Sequence, residues 1–163
     1  MWLYQGNKIE SLEDIEKIHG SIPYGFLYNI VGANGREYIG RKNLRIKNSR
    51  VIGKRELEKH PDKRTLRKYK SKKGKKKGQW IYYEERYKEN NWLEYTGSND
   101  MLNRDIDNGM EVTKYILEFV DDEKMMSYKE MRQIVCTGAL EDERFYNDHV
   151  DKRYFKKNIL KNI

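Results

Sequence analysis

The amino-acid sequence predicts a small α/β (α+β) domain, in which an antiparallel sheet is built on a central hairpin, flanked by helices and interrupted by a basic insertion. Two runs rich in aromatic and β-branched residues flank a turn at Asn34-Gly35, the most regular strand pattern occupies 111–120, and helical patterns lie on either side of that strand. The 163 residues suffice for one domain with a modest core. We therefore predict a single domain over 1–163.

The opening segment, 1–22, is predicted to be an N-terminal brace for the core. Trp2-Leu3-Tyr4 has the composition of a short strand, and the turn residues that follow it predict a small hairpin. Apolar residues then recur at helical spacing from Leu12 to Ile18. Ser11, immediately before them, is a candidate N-cap.

The central hairpin is predicted from two segments, 24–30 and 36–42. Asn34-Gly35 lies between them, and both residue types accept the positive φ that a tight hairpin turn requires. The second strand ends in Gly40, which is followed directly by Arg41 and Lys42. Two cations directly after a glycine are well suited to holding a phosphate.

A basic insertion is predicted over 43–90. Residues 41–88 hold 20 Lys or Arg against 5 Asp or Glu, whereas the whole chain has a net charge of only +8. Such an asymmetry predicts a polyanionic partner, DNA in the first place and RNA as a possibility. The cations selected as nucleic-acid contacts are Lys54, Arg55, Arg64, Arg67, Lys68, Lys72, Lys73, Lys75, Lys76 and Lys77.

Local structure within the insertion is less clearly indicated. The lysine-rich stretch 70–79 offers nothing to bury and is predicted to be a mobile loop, while 55–59 and 63–69 are predicted to be short helices. The aromatic segment 80–83 is compatible with helix or strand. Its aromatic residues, with Tyr69, either stack on unpaired bases or, in the favoured alternative for Trp80 and Tyr82, pack the insertion onto the body.

Regular structure is predicted again after the insertion. Ser98 is the candidate N-cap of a helix that buries Leu102 and Ile106 and ends at Asn108-Gly109. The strand over 111–120 follows.

A second helix is predicted from Asp121-Asp122 to about Thr137, with Met131, Ile134 and Val135 on its buried face. The tail, 144–163, is aromatic and basic.

Several functional classes are excluded by composition. The sequence has no apolar span that predicts a membrane helix, and its first residues lack the pattern of a signal peptide. Cys136 is the sole cysteine, and His19, His60 and His149 lack zinc-ligand spacing. We expect a cytoplasmic protein without a membrane partner, located in the host cytoplasm if the gene is phage-borne.

The hairpin resembles the paired motif of the GIY-YIG nucleases. Phe26-Leu27-Tyr28 and Tyr38-Ile39-Gly40 match the two halves, and with Arg41-Lys42 and the downstream Trp92 and Tyr95-Thr96-Gly97-Ser98 they are similar to a phage-encoded branch of those endonucleases. The resemblance covers roughly 22–150. It implies a Mg²⁺-dependent (or Mn²⁺-dependent) endonuclease that hydrolyses DNA.

The resemblance also implies the roles of individual residues. Tyr28 and Tyr38 match the motif tyrosines, which orient or deprotonate the attacking water in that family. A phenol has a pKa near 10, so the role of base needs nearby cations or a metal that lower it. From spacing alone, the alternative is that both are ordinary strand aromatics.

The catalytic arginine is less directly implied. Arg41 and Lys42 follow the motif glycine, whereas the family usually places its arginine a turn or two later. At that offset this chain has Asn48, with Arg45 and Arg50 nearby. Arg41 is the first candidate and Arg45 the second. The alternative is that Arg41 and Lys42 are solvated rim charges.

Glu130 matches the position of the single metal-binding glutamate of the family. The structural alternative is a capping box, with Ser127 as N-cap and Glu130 at the third helical position. One carboxylate leaves most of a Mg²⁺ coordination sphere to water and phosphate oxygens, which is usual for this ion. Asn147 resembles a late asparagine near the family's active site, or is a turn residue that satisfies local backbone.

The prediction for function is thus a DNA endonuclease. The main alternative is a nucleic-acid-binding protein, for DNA or RNA, that kept the scaffold and lost the chemistry. The target sequence, nicking against double-strand cleavage, the oligomeric state and the biological role do not follow from the sequence.

Overall fold

The computed structural model describes residues 1–161 and divides the chain into two compact units. The main unit comprises 1–44 and 91–163, and the insertion unit comprises 45–90. The insertion unit overlaps the basic insertion predicted over 43–90. Each unit is described by itself below.

The main unit is built on a five-stranded sheet with the strand order β2-β1-β8-β3-β4. Its strands are β1 (Trp2–Tyr4), β2 (Asn7–Ile9), β3 (Gly25–Gly32), β4 (Glu37–Asn43) and β8 (Val112–Val120). Strand β3 lies antiparallel between β8 and β4, which confirms the predicted central hairpin. The one parallel pairing, between β1 and β8, makes the sheet mixed.

The helices of the main unit are α1 (Leu12–His19), α3 (Asp100–Asp107), α4 (Glu123–Cys136) and α5 (Lys156–Ile159). Short polar side chains cap the first three, whereas α5 follows Phe155 without a side-chain cap. Ser11 forms a reciprocal capping box with Asp14, which confirms it as the N-cap of α1. Asn99, not Ser98, caps α3, because the Asn99 side chain accepts from the Leu102 backbone N–H. Asp122 caps α4 as predicted.

The core of the main unit is aromatic and lies under one face of the sheet. Trp2 packs edge-to-face on Phe26 and Tyr28, with ring centroids 5.0 and 5.3 Å apart. The Trp2 indole N–H donates to the Trp92 carbonyl at 2.8 Å, so the first strand is tied to the segment that follows the insertion. The N-terminal segment therefore completes the core on which the motif strand rests.

The buried face of α4 differs from the predicted one. Met126 and Ile134 are buried, whereas Met131 and Val135 are exposed, so those two assignments are wrong. The helix turns its 126/130/134 face toward β3 and β4, and these positions repeat every four residues. Glu130 thus occupies the middle of the buried stripe.

The segment after α4 runs along the outer edge of β4. The backbone N–H of Glu37 donates to the Arg144 carbonyl at 2.8 Å, and the Tyr146 N–H donates to the Glu37 carbonyl at 2.7 Å. The chain continues through a short hairpin, β9 (His149–Val150) and β10 (Tyr154–Phe155), into α5. The last residues of the predicted basic tail, 162–163, lie outside the described residues.

The insertion unit is a three-stranded antiparallel sheet. Its elements are β5 (Arg45–Val51), α2 (Lys54–Lys59), β6 (Arg67–Lys70) and β7 (Trp80–Glu89), with the strand order β5-β7-β6. The predicted helix near 55–59 is confirmed. The predicted helix at 63–69 is wrong, because only a 3₁₀ turn at Lys63–Thr65 precedes strand β6. Residues 80–83 are strand.

The lysine-rich segment between β6 and β7 is the loop of a hairpin. The backbone N–H of Ser71 donates to the Gln79 carbonyl at 3.0 Å, and the Gly78 N–H donates back to the Ser71 carbonyl at 2.8 Å. Pairing of the flanking strands, from Arg67–Tyr83 to Lys70–Trp80, fixes its ends. The five lysines of this loop are therefore presented together at a hairpin tip.

Across residues 1–161, no helix is both long enough and apolar enough to span a bilayer.

Candidate active site

The two motif tyrosines lie on the same face of the sheet. Tyr28 on β3 pairs with Gly40 on β4, and Tyr38 on β4 pairs with Ile30, so both side chains fall on the face that covers the aromatic core. Their ring centroids are 6.1 Å apart. The hairpin register, which the sequence indicates through Asn34-Gly35, is what brings the two phenols together.

Glycine at position 40 is required by the tyrosine across the hairpin. A Cβ at Gly40 would lie 2.6 Å from Cζ of Tyr28, so any side chain there displaces the phenol. Gly97 makes room for the other ring: a Cβ there would lie 2.9 Å from Tyr38, and its φ of +98° disfavours other residues. Both glycines thus leave space for a tyrosine ring.

The two phenols differ in their access to solvent. Tyr28 is only 1% exposed, and its ring lies 6.0 Å from that of Tyr95. Tyr38 reaches a surface groove, and its hydroxyl lies 3.1 Å from Oγ of Ser98. Tyr38 is therefore the phenol that a molecule in the groove can touch.

Burial raises the pKa of both phenols. For Tyr28 the pKa lies well above its usual value, with desolvation as the main cause and the neighbouring Tyr38 and Tyr95 adding to it. For Tyr38, desolvation raises the pKa and the hydrogen bond with Ser98 opposes the rise. Both groups are protonated at neutral pH in this environment. Neither is poised as a base by the protein alone.

Arg41 and Glu130 form an ion pair at the edge of the sheet. Nε of Arg41 lies 2.8 Å from Oε2 of Glu130, and the same guanidinium donates to the Ser127 hydroxyl. Helix α4 begins at Glu123, four residues before Ser127, so the alternative capping box at Ser127 is wrong. Glu130 is therefore free of a capping role, and its carboxylate faces β4.

The Glu130 carboxylate is partly desolvated. Burial raises its pKa, and the charge and hydrogen bond of Arg41 are the main effects that oppose the rise. A carboxylate on the buried stripe between Met126 and Ile134 carries a desolvation cost that a bound cation or a guanidinium offsets. This position favours a functional carboxylate over a merely solvated one.

Lys42 lies on the same face of the main sheet as Tyr28 and Tyr38. Its Nζ is 3.8 Å from the centre of the Tyr95 ring and donates to Oδ1 of Asn91 at 3.2 Å. Burial lowers its pKa. The side chain is thus held against an aromatic ring, which contradicts the alternative of a freely solvated rim charge.

Asn147 is fixed by the edge strand. Its Nδ2 donates to the Ile39 carbonyl at 2.8 Å, and its Oδ1 accepts from the Ile39 N–H at 3.0 Å. The side-chain amide therefore replaces a neighbouring strand along one residue of β4. Asn147 is only 3% exposed, although it also borders the groove. Its contacts within the chain assign it a positioning role.

The groove has a volume of about 1290 Å³ and lies wholly within the main unit. It is lined by Tyr38, Ser98, Glu130 and Asn147, together with residues of α3 and of the segment from Glu143 to Leu160. Strand β4 is the last strand of the sheet, so side chains from both of its faces reach this opening. The structure thereby brings one motif tyrosine, the candidate metal ligand and the late asparagine together, with Tyr28 directly behind.

The remaining predicted site residues lie in the insertion unit. Arg45 opens β5 and pairs in register with Glu89 on β7. The ten predicted nucleic-acid contacts are all exposed, on α2, on the 3₁₀ turn, on β6 and on the hairpin loop. No additional role for Arg45 follows from its position.

Two residues of the site carry no role in the sequence reasoning. Tyr95 packs against both Tyr28 and Lys42. His149 lines the groove beside Glu130, and its Nδ1 is buried without a hydrogen-bond partner. Neither has ligand or catalytic spacing, so only the resemblance, through Tyr95-Thr96-Gly97-Ser98, pointed toward one of them.

The donor set suits a hydrated, oxygen-preferring ion better than a buried one. Among residues 1–161, no cluster of three or more His, Cys, Asp or Glu side chains is arranged to hold a metal. Glu130 alone offers a desolvated carboxylate at an open groove. A single carboxylate with solvent access fits Mg²⁺, which keeps several waters and shares its remaining positions with substrate phosphates.

Comparison with known protein families identifies a nuclease domain. A family described as "Putative endonuclease segE, GIY-YIG domain" matches residues 2–159, nearly the whole chain and including the insertion. No curated protein and no solved structure matches. The match confirms the resemblance that the paired motif indicates, and the mixed α/β fold agrees with it. The chain therefore belongs to the GIY-YIG endonuclease family, in the branch described by the segE domain.

Proposed function

We propose that the protein is a Mg²⁺-dependent endonuclease that hydrolyses phosphodiester bonds of DNA in the groove beside β4. The observation that supports the proposal is the ion pair between Arg41 and Glu130, because the Glu130 member of the pair lines the same groove as Tyr38. Family membership supports nuclease chemistry in general. The metal, the DNA substrate and the residue roles are the further content of the proposal.

Each residue has a role that follows from its environment. Tyr38, which reaches the groove, orients the attacking water through its hydroxyl and shares a hydrogen bond with Ser98. Tyr28 stays protonated because burial raises its pKa, so it acts as a hydrogen-bond donor that fixes the neighbouring rings. Arg41 holds the Glu130 carboxylate and contributes positive charge at the scissile phosphate.

A bound Mg²⁺ supplies charge neutralisation at the phosphoryl oxygens and favours the ionised form of a nearby water. Glu130 is the residue that would hold it. Lys42 adds a cation on the tyrosine side, and its contact with Tyr95 limits the positions that the ammonium can adopt. These groups are suited to in-line displacement without a buried multinuclear metal site.

The test is nicking of supercoiled plasmid by the purified protein with Mg²⁺ and with EDTA. We expect cleavage only with Mg²⁺, and a loss of about 10³-fold for Glu130→Gln. Glu143→Gln is the matched control, because Glu143 lines the same groove but lies apart from the ion pair, and it should cleave like the wild type.

Thermal unfolding of Glu130→Gln shows whether the variant is folded. The proposal is contradicted if the wild type leaves the plasmid intact with Mg²⁺, or if a folded Glu130→Gln protein nicks as fast as the wild type. Retention of DNA binding without any cleavage would instead identify a binding protein on the nuclease scaffold.

A further inference from the structure

The insertion unit presents an aromatic surface that the cleavage site does not use. In an antiparallel sheet, residues paired directly across strands share a face. The register therefore assigns Tyr69, Tyr83 and Tyr87 to one face, and Trp80 and Tyr82 to the other. We call the first of these the tyrosine face, which also carries Lys47, Ser49, Val51, Arg67, Ile81 and Glu85.

The tyrosine face is largely open to solvent. Tyr69 is 49% exposed and Tyr87 is 60% exposed, and Val51, which pairs with Tyr83, is also exposed. Within residues 45–90, all of which the structure describes, the buried apolar side chains are Ile52 and Leu66. So small a core does not require large aromatic side chains on an open sheet. The exposed rings of this face are therefore not needed for packing within the unit and are accessible to a ligand.

One of the two most exposed rings, that of Tyr69, packs on a neighbouring tyrosine. Tyr69 on β6 lies against Tyr83 on β7 with ring centroids 6.0 Å apart, because Tyr83 pairs with Arg67, two residues before Tyr69. Such an arrangement leaves the outer ring face of Tyr69 available. A rigid aromatic ring on a sheet is a low-entropy stacking partner for a flat ligand.

The charges on this face favour an anionic ligand, and its exposed tyrosine rings favour a ligand that contains flat rings. Lys47 and Arg67 lie on either side of Glu85, at 2.7 and 3.8 Å from its Oε1, so the face has one more positive than negative charge among these three residues. The exposed cations of the adjacent hairpin loop add to the attraction. A phosphate backbone supplies the negative charge and its bases supply the rings.

We propose that the tyrosine face binds unpaired bases of a single-stranded stretch of nucleic acid, through stacking on Tyr69 and Tyr87 and through phosphate contacts of Arg67 and Lys47. A base within a duplex already has a neighbour on each face, so tyrosine rings on an open sheet select bases that are unpaired. Rows of cations alone would favour duplex and single strand alike.

This inference rests on the nucleic-acid substrate of the proposed function, although it does not need cleavage. Binding is therefore measured in EDTA on the full chain, by fluorescence anisotropy of a labelled dT oligonucleotide and of a duplex of equal length. The variants are Tyr69→Ala and Tyr87→Ala. Trp80→Ala is the matched control, because Trp80 is 54% exposed but lies on the opposite face.

We expect each tyrosine variant to weaken single-strand binding by about 5- to 100-fold while duplex binding changes less than about twofold. Tyr87→Phe should keep the affinity, since the ring stacks without its hydroxyl. A base analogue whose fluorescence falls on stacking should be quenched by the wild type and by Trp80→Ala, but not by the double tyrosine variant.

Three results would overturn the inference: unchanged single-strand affinity in the double tyrosine variant, an equal loss in Trp80→Ala, or an equal loss for duplex. A change of oligomeric state in the tyrosine variants, seen by sedimentation, would assign the face to a second copy of the chain instead. If the plasmid is never nicked while tyrosine-dependent binding persists, the proposed function fails and this inference stands. If the plasmid is nicked but binding does not depend on the tyrosines, the proposed function stands and this inference fails.

Discussion

Lysines have opposite surroundings in the two units of this protein. In the main unit, Lys114 is 8% exposed, donates to the carbonyls of Leu93 and Tyr95 at 2.5 and 3.2 Å, and lies 4.6 Å from the Trp2 ring. In the insertion unit, the lysines of the hairpin loop are exposed. The first lysine holds a backbone segment in place. The others remain available to a partner.

This difference separates buried lysines, which support the fold, from exposed lysines, which can bind a partner. A count of charges in the sequence includes both kinds. The Lys114 ammonium is surrounded by backbone dipoles and one ring, so its free energy is tied to the fold of the main unit. Exposed lysines contribute little to folding but strongly to binding of a polyanion. Net charge therefore locates a partner only after the buried cations have been identified.

The largest expected effect is on DNA affinity. Replacing the five loop lysines, Lys72, Lys73, Lys75, Lys76 and Lys77, by Gln should weaken duplex binding by about 10²- to 10⁴-fold at 0.1 M salt, and reduce the slope of log affinity against log salt by up to about 4. Anisotropy titrations in EDTA at several salt concentrations measure both. Gln at three exposed lysines of the main unit, Lys8, Lys17 and Lys124, should have a much smaller effect. Equal losses of DNA affinity in the two sets of variants would show that exposed lysines of both units contribute alike to binding.

The next effect is on cleavage, and it tests the packing of the main unit. Gly40→Ala forces a methyl group to within 2.6 Å of the buried Tyr28 ring, so the phenol must move. We expect a loss of about 10²-fold in cleavage rate and a destabilisation of about 1–3 kcal/mol. Gly53→Ala is the control, since a Cβ there meets nothing within 4 Å. Plasmid nicking and urea denaturation measure the two effects, and an active Gly40→Ala protein would contradict the geometry of the tyrosine pair.

Asn147 tests how much one buried side chain contributes to the stability of the main unit. Asn147→Ala leaves the N–H and the carbonyl of Ile39 without their buried partners, which should cost about 2–3 kcal/mol of unfolding free energy. Asn108→Ala, in the same unit, is a useful reference because Asn108 is exposed. Denaturant unfolding gives both values. If Asn147→Ala is as stable as the wild type but inactive, Asn147 has a direct catalytic role instead of a positioning one.

The smallest expected effect is the pH dependence that Lys114 gives to the fold. Burial lowers the pKa of Lys114 to about 8, whereas the unfolded chain keeps the ordinary value of 10.5, so between these values the unfolded chain binds more protons and stability rises with pH. We expect the unfolding free energy to rise by about 2 kcal/mol from pH 7.5 to 9.5, relative to Lys114→Met. Urea denaturation across this range measures the difference. Parallel pH profiles for the two proteins would show that the hydrogen bonds to the two carbonyls hold the ammonium charged.

Local signals predicted much of the main unit. Asn34-Gly35 defined the hairpin, Ser11 capped the first helix, and the β-branched pattern defined strand β8, because each depends on residues close together in the chain. The start of α3 was displaced by one residue for a tertiary reason. Nδ2 of Asn99 donates to the Tyr146 carbonyl at 2.7 Å, and this distant contact favours Asn99 over Ser98 as the cap.

The candidate site was less predictable from local patterns. The buried face of α4 was assigned from apolar residues, yet its true stripe has Glu130 at the centre, and periodicity cannot favour a charged residue there. Tyr28 and Tyr38 were identified by resemblance, and their pKa values depend on tertiary burial. His149 comes from the tail and reaches Glu130 only in the folded chain. Site residues that come from distant segments, and meet only in the folded chain, have no characteristic spacing in the sequence.

The contact between the outer edge of β4 and the segment after α4 has a consequence for biosynthesis. Asn147, which bridges Ile39, is made 108 residues later in the chain. The groove wall from Glu143 onward is made later still than the motif strands and the Glu130 helix. On a ribosome, the hairpin therefore emerges long before the wall that completes its cleft, since chains fold in the order in which they leave the exit tunnel. The groove of the main unit is therefore complete only after the segment from Glu143 to Leu160 has left the tunnel.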